Sequence, residues 1–77
     1  MKRPPDVSEM THGQLKLEYA SKCQYHGSNG VVALGYASRA SHADLQSALL
    51  KYHAAANQGD WTTAEDALIE VTKIPQP

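Results

Sequence analysis

Two apolar stripes of helical period separated by one tight turn constrain this chain most. They occupy its last 37 residues, Ser41 to Pro77. Leu45, Ala48, Leu49, Tyr52 and Ala56 recur at i, i+3, i+4, i+7 and i+11, which lines one face of an amphipathic helix. Trp61, Ala64, Ala67, Leu68, Val71 and Ile74 fall within one broad arc of a second. Ser41 is placed to cap the first of these helices, with Asp44 in its first turn, where a carboxylate meets the positive end of the helix dipole. Asn57-Gln58-Gly59-Asp60 supplies the stop and the next start. Asp60 can cap the last helix, and Thr62-Thr63-Ala64-Glu65 offers a competing capping box. A connection this short favours an antiparallel neighbour. Trp61 is expected to fold back near Tyr52 and Ala56, and Pro75 to end the helix.

A further helix is signalled upstream. Thr11-His12-Gly13-Gln14 fits a capping box, and Met10 and Leu15 occupy the positions of a hydrophobic staple. This helix should run to Tyr25 or His26 and stop at Gly27. Gly27-Ser28-Asn29-Gly30 then reads as a loop. The run Val31 to Ala37 suits a buried strand or a short buried helix. A lone strand has no ladder partner, so a short helix is expected, with Ser38-Arg39-Ala40 as a linker. The fold class is therefore all-α: a small bundle of three main helices plus one short helix, ending in an antiparallel helical hairpin. Residues 1–9, with Pro4-Pro5, are expected to be a flexible tail, and residues 10–77 a single helical domain.

The core is thin. Of the apolar residues 11 are Ala, and there is no Phe. A chain of 77 residues buries a modest share of its surface, so docking on a protein partner or self-association is expected to add stability. Net charge is −1, which argues against a general nucleic-acid binder, since that needs clustered Lys and Arg. The single cysteine, Cys23, cannot form an internal disulfide, and the first residues hold no apolar stretch of a secretory signal. The longest apolar run is far too short to span a membrane. A cytoplasmic protein is expected.

Candidate chemistry is sparse. Cys23 and His26 have the spacing of two zinc ligands on one helix, but a structural site needs four. His12 and Cys23 stand 11 residues apart, roughly 16 Å along a helix, so they cannot share a metal. Glu65 and Asp66 are adjacent and diverge. No glycine spacing matches a phosphate or dinucleotide loop. No metal, cofactor or catalytic role is expected. What remains is apolar surface that the stripes leave over. Leu50 and Ile69 fall outside the hairpin seam, and Leu17 and Tyr25 outside the main face of the first helix. Flanked by Glu65, Asp66 and Glu70, they form the candidate partner-binding set of a small adaptor, inhibitor or assembly factor.

One segment carries a second reading. Ala33-Leu34-Gly35-Tyr36-Ala37-Ser38-Arg39-Ala40-Ser41 resembles the turn and recognition-helix start of AraC-type helix-turn-helix regulators. The resemblance implies a small DNA-binding regulator whose Arg39, Ser41, His42 and Gln46 face the major groove.

Overall fold

A computed structural model describes residues 6–74 of the chain. Pro4, Pro5 and Pro75 lie outside those residues. A 3-10 turn, Val7–Glu9, precedes four helices: α1 His12–Tyr25, α2 Gly30–Arg39, α3 His42–Asn57 and α4 Trp61–Thr72. No strand occurs among the described residues.

Each helix starts where a side chain can satisfy the free N–H groups of a first turn. Thr11 forms the expected capping box: its hydroxyl accepts from the Gln14 N–H at 3.2 Å, and the Gln14 side-chain oxygen accepts from the Thr11 N–H at 2.9 Å. Ser41 accepts from the Asp44 N–H at 3.1 Å. Asp60 accepts from the Thr63 N–H at 3.2 Å, so Asp60 rather than Thr62 begins α4.

Two of the breaks between helices share one construction. Gly27 and Gly59 both take positive φ, 91° and 74°. After α1, the Ser28 N–H donates to the Cys23 carbonyl at 2.9 Å and the Gly27 N–H to the Gln24 carbonyl at 3.0 Å. After α3, the Asp60 N–H donates to the Ala55 carbonyl at 2.9 Å and the Gly59 N–H to the Ala56 carbonyl at 3.0 Å. Both are Schellman stops, which satisfy carbonyls that a helix end would otherwise leave open. A capping residue follows at once, Asn29 in one case and Asp60 in the other, so each break is a sharp reversal.

The expected loop holds through Asn29, which also caps the next helix: its side chain accepts from the Val31 and Val32 N–H groups at 2.8 and 3.2 Å. The helix it starts runs through the expected linker to Arg39, and the Ser38 hydroxyl donates back to the Leu34 carbonyl at 2.8 Å. Only Ala40 and Ser41 separate α2 from α3.

Residues 7–9, expected in the tail, belong to the fold. Val7 is buried in the core, and the 3-10 turn around it packs on α3. The Gln46 amide donates to the Val7 carbonyl at 3.4 Å, and His42 Nε2 to the Met10 carbonyl at 3.0 Å. One apolar side chain and two donors strap residues 7–10 to the start of α3. A single Val flanked by polar residues has no periodic pattern and reads as tail for that reason.

The helices form two hairpins, α1 with α2 and α3 with α4. They are joined by packing of α1 on α3 and α2 on α4. The largest fully buried side chains are Tyr19, Leu15, Leu45 and Leu49. Around them lie Ala33, Ala37, Ala48, Ala55, Ala64 and Ala67, which let helix backbones approach closely. Tyr19 ties the hairpins together, since its hydroxyl donates to the Leu68 carbonyl of α4 at 2.6 Å. Burial pushes the Tyr19 hydroxyl above its ordinary pKa, which favours the protonated form that donates this bond.

Two stability measurements test this account of the turns. A Cβ at Gly59 would meet no atom within 4 Å, but the positive φ strains any L side chain, so Gly59→Ala should cost about 1–2 kcal/mol. Gly35 lies within α2 with equally open space, so Gly35→Ala should stabilise by about 0.5–1 kcal/mol. Thermal melts of the pair should move in opposite directions. Hydrogen bonds from the Thr63 side chain and backbone N–H lower the Asp60 pKa below its ordinary 3.8. A depressed carboxylate contributes stability above that value and loses it as pH falls through the folded pKa. Asp60→Asn caps at any pH, so the wild type should match or exceed it at pH 7 and lose that standing at pH 3.

Candidate partner-binding surfaces

His26, the last residue of the α1 stop, is where three helices meet. Its Nε2 is 2.8 Å from the Tyr52 hydroxyl of α3, and its Nδ1 is 3.5 Å from the Glu65 carboxylate of α4. The Tyr25 ring stands edge-on to it at 5.2 Å, Tyr52 at 5.6 Å and Trp61 tilted at 5.7 Å. Tyr52 is buried, and burial raises its pKa first, with Tyr25 next. Beside this cluster a cleft of about 140 Å³ opens between α1 and α4. Tyr19, Cys23 and His26 line one wall; Leu68, Ile69 and Thr72 line the other. Trp61 shares the His26 ring with Tyr52, and the residue stays 45% exposed.

Leu17, Tyr25, Leu50 and Ile69 are all exposed, as the leftover-surface argument requires, but they do not form one patch. Ile69 and Glu65 line the α1/α4 cleft. Asp66 and Glu70 face the groove between α3 and α4, where Glu70 pairs with Lys51 at 3.3 Å. Leu17 lines a groove between α1 and α2. Tyr25 belongs to the His26 cluster, and Leu50 lines none of these three clefts. Residues outside a seam need not fall on the same side of the bundle, and helical spacing alone does not say which side each takes.

The α1/α2 groove is the surface that sequence reasoning missed. It measures about 530 Å³ against about 490 Å³ for the α3/α4 groove, and its lining of Leu17, Ala20, Ser21, Gln24, Val31 and Leu34 carries no charge. The run from Val31 to Ala37 reads as buried because it is apolar. In the fold only Ala33 and Ala37 of α2 are buried, while Val31 is 81% exposed and Val32 exposed beside it. The i, i+4 spacing of Ala33 and Ala37 was the available signal, since small residues mark the side on which a neighbouring helix approaches.

Three of the four residues implied by the helix-turn-helix resemblance are otherwise engaged. Gly35 sits inside α2, so the turn expected there is absent. The Ser41 hydroxyl caps α3, His42 holds the Met10 carbonyl, and Gln46 holds the Val7 carbonyl. Arg39 is the last residue of α2. The break between α2 and α3 sits at Ala40-Ser41, five residues beyond the glycine of the motif, so the motif's register does not carry over.

Among the described residues no group of three or more His, Cys, Asp or Glu side chains could hold a metal ion. Cys23 is buried, its thiol pKa raised by that burial. No helix among the described residues is long and apolar enough to cross a membrane. Comparison with family models, with curated proteins and with solved structures returns no match.

A half-exposed Trp61 contributes less to stability than a buried one. Trp61→Ala should cost about 1–2 kcal/mol, below the roughly 3–5 kcal/mol of a fully buried tryptophan. Denaturant unfolding of the variant checks this, with the larger loss expected only if the ring were a core element.

Proposed function

We propose that the chain is a small non-catalytic protein-binding module, an adaptor, inhibitor or assembly factor that docks on a larger protein through the groove between α1 and α2. One observation carries this reading: Val31, 81% exposed, stands with Leu17, Ala20 and Leu34 in a continuous uncharged groove. Contiguous apolar surface of this kind is costly to leave in water and is characteristic of interaction sites. Ser21, Gln24, Ser28 and Asn29 border it and supply the polar rim that such sites carry. The helices presenting it are fixed at both adjoining ends by the Schellman stop at Gly27 and the Asn29 cap, so little ordering cost accompanies docking.

Val31→Asp tests the reading. The side chain is exposed, so circular dichroism should be unchanged, while a charge in the groove should abolish docking. Quantitative capture from extract of the source cells, run with wild type and variant side by side, should show a partner that the variant loses. Equal capture by both, or by neither, defeats the reading. Sedimentation equilibrium on the purified chain separates a foreign partner from a second copy.

A further inference from the structure

The end of the bundle where α1 and α3 finish and α4 begins combines exposed aromatic surface with the Glu65 carboxylate. Tyr25 and Trp61 both pack on the His26 ring, at 5.2 and 5.7 Å, yet both remain exposed. Glu65 follows Trp61 by one helical turn, which places the two side chains as neighbours on α4. Its carboxylate lies 3.5 Å from His26 Nδ1, and its side chain is 57% exposed, so it has capacity for a further donor.

The charge at this end is one-sided. Residues 25–28, 52–57 and 60–66 hold no Lys or Arg; of their acids Glu65 lines the cleft beside His26, while Asp60 and Asp66 line the α3/α4 groove. The lysine one turn before His26, Lys22, pairs with Glu18 at 3.5 Å. Lys51, one residue before Tyr52, pairs with Glu70. Aromatic faces beside a carboxylate suit a cation, because the ring quadrupole and the formal charge attract it together. A guanidinium suits them better than an ammonium: it is planar and stacks on a ring, and its donor fork matches a carboxylate.

The geometry points to the Tyr25–Trp61–Glu65 surface as the docking point for an arginine side chain of a protein partner. The guanidinium stacks on the exposed aromatic rings and donates to Glu65. An aliphatic residue beside that arginine enters the 140 Å³ cleft against Leu68 and Ile69, one turn further along α4. Tyr25, Trp61 and Glu65 line no part of the Val31 groove, which shares only Ser28 with the cleft, so either assignment can fail without the other.

Trp61 is the only tryptophan, so its emission and its indole N–H resonance report this surface directly. Titration with N-acetyl-leucyl-arginine amide should give a saturable change at millimolar concentration that weakens with added salt. The citrulline analogue, which keeps the shape and lacks the charge, should bind about fivefold more weakly, the upper range for an exposed ion pair. Glu65→Gln should reduce arginine-peptide affinity by about the same factor with an unchanged circular dichroism spectrum. Val31→Asp should bind the arginine peptide as the wild type does. No saturable change, equal binding of the citrulline analogue, or a Glu65→Gln titration that overlays the wild type would each overturn the assignment.

Discussion

A glycine at positive φ, followed within two residues by a capping side chain, is the device on which the arrangement of this chain depends. Gly27 with Asn29, and Gly59 with Asp60, each close one helix and open the next with almost no intervening chain. The breaks are too short to let consecutive helices separate, so each forces a hairpin. Two hairpins then have one way to cover their apolar stripes, which is against each other. The backbone bonds at the breaks add to this by leaving few helix-end carbonyls to be satisfied by water.

Close packing of the hairpins depends on alanine. Seven alanines are buried in the core beside only four large fully buried side chains. Small side chains bring backbones together but provide little volume for other apolar groups to fill, and packed interiors do not tolerate surplus atoms. Leu50 and Ile69, outside the seams, stay exposed for this reason. Their exposure follows from how the seams are filled.

The elements with two agreeing signals were readable in the sequence. Thr11 with Gln14, Ser41 with Asp44, and the glycine stops at Gly27 and Gly59 each pair a cap or a stop with a periodic stripe, and the helix ends fall where those signals place them. Asn29 was not legible as a cap because the run it opens lacks an alternating face. Val7 was not legible as core because its burial depends on Gln46 and His42, far away in sequence. The candidate site suffered most. Sequence spacing identified Leu17, Tyr25, Leu50 and Ile69 as surplus to the seams, but which of them share a surface depends on how the hairpins cross. The histidines illustrate the same limit. Read along the chain they are possible ligands; in the fold His12 holds the Ala40 carbonyl, His26 the Tyr52 hydroxyl and His42 the Met10 carbonyl, each joining segments more than 25 residues apart.

The two surfaces argued above arise from the same device that sets the fold. Val31 and Val32 lie in the first turn that Asn29 caps, and Trp61 is the first residue after the Asp60 cap. A helix that starts immediately after a reversal has its first turn at the rim of the bundle, where only part of its circumference can meet a neighbour. Apolar side chains placed there stay in water whatever the core does. His26 then closes the circuit, because it ends α1 at the first reversal and binds Tyr52 and Glu65 near the second. The reversals, the thin core and the exposed rings are thus linked by backbone geometry. A substitution at Gly27 would strain the α1 stop and shift His26 with it, disturbing the Trp61 surface through the backbone and without touching any residue of that surface.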